Sequence, residues 1–444
     1  MPSSKKKTDE FSRRALRYAR FYGGKIGVTP RVPVRTLNDF SVWYTPGVAA
    51  VSSAITKDKN LAFEYTNRWN TVAVITDGSR VLGLGDIGPE ASLPVMEGKA
   101  LIYKHLGGVD AFPVPIRVTS DESFVSVVQA MEPAFGGINL EDISSPKCFG
   151  ILETLRAKMT IPVWHDDQQG TAGVALAALY NALELTGRKL KEARIVLLGS
   201  GAANLATARL LIEAGAPARD MVLVDSRGIL HSERDDVDQL SLRNRWKYEI
   251  ALKTNAAKIS GKLQDALEDA DALIAASVPG PNIVKKSDVR VMSKDPITFF
   301  LANPVPEMWP ADARRAGAAV VATGRSDFPN QVNNSVLFPA VFRGALDVRA
   351  RTISDTMVIS AAKELASFAK EKGLSETNII PTMLDSDLFP RVAAIIGEQA
   401  QREGLARKRL SRSELLERER NMIETSRRAS RVLVEKGIIP RLPS

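Results

Sequence analysis

The chain has 444 residues, more than one ordinary hydrophobic core accommodates, and its 44% hydrophobic and 25% charged content suits a globular protein of two domains. One cysteine, Cys148, excludes an internal disulfide and a thiolate zinc cluster and fits a reducing compartment; with three histidines, a resident metal would be a hard cation held by carboxylates. The net charge of +9 admits an anionic partner, but much of it lies in the first twenty residues and after Arg402, as solvated faces rather than a nucleic-acid patch.

The start, "MPSSKKKTDEFSRR", lacks the apolar centre of a leader, and no apolar run approaches the ~20 residues that span a bilayer. A soluble, cytoplasmic chain without membrane contact is therefore expected. Its first hundred and sixty residues mix short β-like runs, "TVAVITDG" and "AFPVPI", with helical stretches and many turn residues. Tyr44, in "VWYTPGVA", reads as an aromatic packed above a turn or as a proton donor. Lys99, in "LPVMEGKALIYKHLGG", is flanked by apolar residues at a predicted helix start. Such lysines usually reach back to water, but partial burial would lower the pKa and make a general base near neutrality.

Glu141 and Asp142 are adjacent in "NLEDIS". On a helix they would not face one point, whereas at a strand end both would reach one ion, with Asp167 as a third carboxylate for Mg²⁺ or Mn²⁺. A solvent-facing turn is the plainer reading of that segment alone. Asp166 and Asp167 stand in "VWHDDQQGTAG", directly before the apolar helix "TAGVALAALYNALEL", where carboxylates cap orphan N–H groups and suit the helix dipole.

From about Lys191 the pattern changes to strands alternating with helices: "ARIVLLGSGAANLATARLLIEAGA", "MVLVDS", "DALIAASVPG", "ITFFLANPV" and "AAVVATGRS". This predicts an α/β fold, a Rossmann-type doubly wound parallel sheet whose ligands bind at the carboxyl ends of the strands. Gly199 allows the tight turn, Gly201 lets backbone N–H groups approach a pyrophosphate, and Asp225, twenty-one residues after Asn204, would bond a ribose hydroxyl. Asn204 replaces the third glycine of the fingerprint, and Arg227 would suit a 2′-phosphate, so NAD and NADP both stay open. The last hundred residues are predicted helical, with a capping box from Ser411 to Glu414 and an apolar face for packing on another domain or subunit. The division expected is an N-terminal catalytic domain at 1–165, a dinucleotide-binding domain at 166–345 and a helical segment at 346–444 packed back on the first.

Taken together, "WYTPGVA", "VITDGSRVLGLGDIG", "MEGKALIY", "NLEDI", "PKCF", "IPVWHDDQQGTA", "VLLGSGAA", "VDSRG", "SVPG", "LANPVPE" and "GRSDFPNQVNNSVLFP" resemble the malic enzyme family, in its order, from about Tyr44 to Arg343. The length and the "HDDQ" form look like the compact prokaryotic type. The resemblance implies oxidative decarboxylation of L-malate to pyruvate and CO2, reducing NAD or NADP with Mg²⁺ or Mn²⁺, in a homodimer. It makes Lys99 the base at the C2 hydroxyl, Asp166 its neighbour, and Tyr44 the acid that protonates C3. Glu141, Asp142 and Asp167 would hold the metal, and Arg80 a malate carboxylate. Asn303 and Asn334 would bond substrate and the nicotinamide end, while Gly199, Gly201, Ala202, Ala203, Asn204, Asp225, Ser277 and Asn303 would line the dinucleotide site. Gln169 stands where compact members show His, Trp164 where they show Phe, and Gly150 where an acid is usual. Rival readings are a malolactic enzyme, an amino-acid dehydrogenase with a catalytic lysine, and a catalytically silent nucleotide-sensing or nucleic-acid-binding regulator. The last two leave three metal-type carboxylates without a task.

Overall fold

The computed structural model describes residues 4–442, with side chains from Glu10 onward; the first three residues of the basic start lie outside it. The first sheet has four parallel strands, β1 (Thr71–Thr76), β2 (Asp110–Pro115), β3 (Gly137–Leu140) and β4 (Val163–His165), in the order β2-β1-β3-β4. Every residue of β1, β3 and β4 is buried, as expected of parallel strands covered on both faces. Pairing sets Ile75 beside Leu140 and Leu140 beside His165. The strands thus end level, and the residues that follow them, Asp77, Glu141–Asp142 and Asp166–Asp167, emerge along one edge.

The second sheet contains β5 (Ile195–Leu198), β6 (Val222–Asp225), β7 (Gly228–Ile229), β8 (Ala272–Ala275), β9 (Ile297–Phe300) and β10 (Val320–Thr323), ordered β10-β9-β8-β5-β6-β7. Only the β6–β7 pair is antiparallel. This is the predicted doubly wound order, and its crevice opens between β5 and β8, where the winding reverses.

The C-terminal helices close back on the first sheet. Phe338–Asp347 is buried along its whole length, with Arg343 and Asp347 paired at 2.7 Å in its interior. The helix Arg412–Glu435 begins with the predicted capping box at Ser411 and Glu414 and lies on the helix Gly88–Gly107, where Ser426 Oγ and Arg427 Nε donate to the carbonyls of Lys104 and His105. One apolar core joins both sheets and these helices. Among the described residues, no helix is long and apolar enough to cross a membrane.

Residues 10–60 add nothing to that core. The arm touches the body through Lys25 N on Glu97 (3.2 Å), Arg31 on Asp110 (3.3 Å) and Tyr22 OH on the Pro440 carbonyl (3.1 Å). Its helices Leu37–Trp43 and Val48–Lys57 have no buried residue, and Phe40, Val42, Trp43 and Tyr44 are all exposed.

Candidate active site

The helix that carries Lys99 starts at Gly88 and runs through Pro94 to Gly107, so the lysine lies on its buried inner face and not at its start. Lys99 Nζ is paired with Asp166 Oδ2, sits 2.7 Å from Glu141 Oε1, and lies 4.2 Å from the centre of the Phe338 ring. Each carboxylate is fixed from behind: Trp164 Nε1 donates to Asp166 Oδ1 at 2.9 Å, and Asn139 Nδ2 donates to Glu141 Oε2 at 2.9 Å. Asn139 is oriented in turn by Tyr103, one turn along from Lys99, whose hydroxyl donates to Asn139 Oδ1 at 2.7 Å. Trp164, noted in the sequence only as a departure from the family, and Asn139 and Tyr103, which the motifs did not single out, are positioning residues; a Tyr four residues after a functional lysine was the available signal.

Burial alone would push the lysine pKa down, but the charges of Asp166 and Glu141 outweigh it and hold the ammonium above its ordinary value. The expected lowering therefore does not hold while both carboxylates face the amine.

Asp142 has φ +53°, a left-handed conformation that side-chain-bearing residues adopt rarely, and it is held there by bonds on three sides. Its carbonyl accepts from Arg80 N (3.0 Å), its N–H donates to Asp167 Oδ2 (2.9 Å), and Leu82 N approaches its Oδ1 (3.5 Å). Its other oxygen, Oδ2, is buried without a partner. Burial and then the Asp167 charge push the Asp142 carboxyl up to about 7, and burial raises Glu141 well above the usual range despite Lys99. His165 is fully buried with Nδ1 3.6 Å from Asp167 Oδ2, and burial pushes it down to about 4, so the ring is neutral.

Among the described residues no three His, Cys, Asp or Glu side chains stand in metal-holding geometry, and Glu141 faces Lys99. The donor set nevertheless fits a hard cation: all three are oxygen ligands, Glu141 and Asp142 are buried, and the orphaned Asp142 oxygen lacks the positive partner such burial demands.

Neither aspartate of "HDD" caps the following helix by its side chain. A single wide turn, Asp166–Gly170, separates them from the helix Thr171–Leu185, and a Cβ on Gly170 would collide with Asp166 Oδ1 and lie 3.0 Å from Asn334 Cβ. Glycine therefore brings Asn334 close to the lysine pair.

At the crevice of the second sheet, Gly199 has φ +100° and a side chain there would strike the Ala276 carbonyl. Gly201 opens the helix Ala202–Glu213 with free space around it, and Ala202 and Ala203 are partly exposed in its first turn, an arrangement suited to a phosphate. Asn204 departs from expectation. It is buried, and its Nδ2 ties Leu198 O (2.8 Å) to Ile274 O (3.3 Å), fastening β5 to β8 rather than facing a ligand. Ser277 is anchored by Glu307, which accepts from its N–H at 2.7 Å and its hydroxyl at 3.1 Å and from Ala302 N at 3.2 Å. Glu307, wholly buried, was not singled out by motif. Asn303 is exposed, and its carbonyl would lie 2.8 Å from a Cβ on Gly83, so the loops that follow the two sheets come into contact there. The Arg80 side chain is exposed.

Asp225 ends β6 as predicted, yet its carboxylate is already filled. Arg227 N (2.8 Å), Gly228 N (3.2 Å) and Arg234 Nη1 (2.9 Å) donate to Oδ1, and Arg234 Nη2 (2.8 Å) and Lys247 Nζ to Oδ2. Burial would raise its pKa, but Arg234 and Lys247 outweigh that and hold it at about 2. A folded-state pKa below the unfolded one stabilises above about pH 4 and is lost as pH falls toward 2. Asp225→Asn is therefore expected to cost ~2 kcal/mol near neutrality, and the deficit, measured by denaturant titration, should vanish between about pH 4 and 2.

Tyr44 stands apart. It is 70% exposed, and the segment around it makes only local hydrogen bonds among those of the described residues.

Residues 24–123 match the family described as "Malic enzyme, N-terminal domain", and residues 168–401 match "Malic enzyme, NAD binding domain". An NAD-dependent malic enzyme of Geobacillus stearothermophilus is 48% identical over 386 residues, 87% of this chain and 78% of that protein. A bifunctional malic/malolactic enzyme of Bacillus subtilis (strain 168) is 46% identical over 408 residues, 92% of this chain and 97% of that one. Among solved structures, the malic enzyme of Entamoeba histolytica superposes with a TM-score of 0.95 at 43% identity, covering 98% of this chain and 91% of that chain.

Proposed function

The chain belongs to the malic enzyme family, and from that premise we propose that it oxidises L-malate at C2 with NAD⁺ or NADP⁺ and releases CO2 and pyruvate. The observation that carries the reading is the buried Lys99 between two carboxylates, with the partnerless Asp142 oxygen among the acids that follow the same strand ends. Glu141, Asp142 and Asp167 would hold Mg²⁺ or Mn²⁺, which supplies charge for the developing C2 oxygen and for the enolate left by CO2, and offsets the Glu141 charge that otherwise keeps Lys99 protonated.

Lys99 then takes the C2 hydroxyl proton as hydride leaves for the nicotinamide, and Asp166, fixed by Trp164, is the counter-charge that receives the resulting ammonium. Arg80 fits a malate carboxylate with its planar fork. Asn334, close to Asp166 across Gly170, and Asn303, exposed beside Gly83, would bond substrate and the nicotinamide end of the cofactor.

The acid that protonates C3 is assigned to Tyr44, which is 70% exposed and stands apart from the Lys99 cluster. Tyr44 would supply it from a second copy, since its arm lies off the body and presents Phe40, Val42 and Trp43 beside it as an apolar face for a partner. The site is thus completed in a homodimer.

The function is tested by supplying malate, Mn²⁺ and each nicotinamide to the purified protein. Equal amounts of pyruvate and reduced dinucleotide are expected. Lactate without net reduced dinucleotide would replace the reading by the malolactic one, which the name of the Bacillus subtilis relative keeps as the second reading.

A further inference from the structure

A cavity of about 300 Å³ lies outside the lysine site, where the last turn of the helix Phe338–Asp347 meets the loop at Lys408 and the helix Arg412–Glu435. Phe63 and Trp69 form its walls, and Arg349, Lys408 and Arg418 bring positive charge to it against Glu64 and Asp347. The acids are already engaged: Asp347 accepts from Arg343 Nη2 and from Arg418 Nε, each at 2.7 Å, and Glu64 meets Arg349 at 3.2 Å. The Arg418 terminal nitrogens and Lys408 Nζ have no protein acceptor among the described residues. The guanidinium groups of Arg31, Arg343 and Arg418 lie 5.2, 5.7 and 5.4 Å from the Trp69 ring centre, so the wall itself is dressed with cations. The volume suits a compact metabolite and not a dinucleotide.

We propose that this cavity binds a small dianion bearing carboxylate or phosphate groups, held by Lys408, Arg418 and Arg349, and that the dianion acts as an effector of the lysine site. The link is the helix Phe338–Asp347. Leu346 and Asp347 line the cavity at one end, and Phe338 lies 4.2 Å from Lys99 Nζ at the other, about 15 Å away along a fully buried rod. A dianion that engages Arg418 competes with Asp347 for it, and a change at Asp347 is carried to Phe338 by a helix that has no slack against its neighbours.

Binding does not depend on the malic-enzyme reading, whereas the effector role rests on it, so the two are measured separately. Inorganic phosphate and succinate, representing the two anion classes, are titrated calorimetrically into the full-length protein in phosphate-free buffer. At least one is expected to bind, and Lys408→Glu, an exposed residue outside the reaction, should weaken that binding about tenfold while turnover without the probe stays unchanged. The bound probe should shift KM for malate in the native enzyme and not in the variant. Absence of binding by both probes, or equal binding to Lys408→Glu, overturns the site. Variant-sensitive binding with an unmoved KM upholds the site and overturns its link to Lys99.

Discussion

Mixing two inactive variants, Tyr44→Phe and Lys99→Ala, restores about a quarter of native malate turnover once subunits have exchanged at equal amounts. The expectation follows from Tyr44 lying exposed on an arm that contributes nothing to the core. If each site takes its lysine from one chain and its tyrosine from the other, half of the dimers are mixed, and each mixed dimer has one site with both groups intact. If both groups came from one chain, no mixed dimer would contain an intact site. Turnover at the level of the separate variants would therefore overturn the shared site, and recovery of the untagged variant on an affinity resin that holds only its tagged partner establishes that exchange had occurred.

Lys99→Ala alone should lower turnover by about 10²- to 10⁴-fold, the usual worth of a positioned general base, with dinucleotide binding nearly unchanged because the crevice of the second sheet does not touch it. It also strands Asp166 and Glu141, both buried, which costs of order 3 kcal/mol when one partner of a buried pair is removed. The double variant Lys99→Ala/Asp166→Asn separates the two effects. Removing one stranded charge should return part of the lost stability, read by denaturant titration, while activity stays absent. Recovery of activity together with stability would mean that Lys99 serves the fold and not the chemistry.

The second sheet was legible because its buried strands read as short apolar runs, and the crevice because Gly199 and Gly201 follow one of them, whereas of the first sheet only β1 and β2 stood out, since β3 and β4 are short and carry Asn139 and His165. The lysine site was legible in parts, since Glu141, Asp142, Asp166 and Asp167 directly follow strands whose ends the pairing aligns. What escaped depends on contacts between distant segments. Lys99 was read at a helix start, yet the helix begins at Gly88, continues through Pro94 and places Lys99 on its buried face. The relay Tyr103–Asn139–Glu141 spans two elements, and Glu307 reaches back thirty residues to Ser277. Asp225 looked available for a ribose because nothing nearby in sequence announces that Arg234 and Lys247 fold onto it. Asn204, in a glycine's place, proved to be a clamp between strands, a role invisible without the carbonyls it holds.

The fate of the C2 hydrogen tests the central claim most directly. Malate deuterated at C2 is supplied with Mn²⁺ and the preferred nicotinamide, and the products are resolved by mass spectrometry. The deuterium is predicted in released, reduced dinucleotide, in proportion to unlabelled pyruvate; its recovery at C2 of lactate, or in solvent, would contradict oxidative decarboxylation of malate by this site.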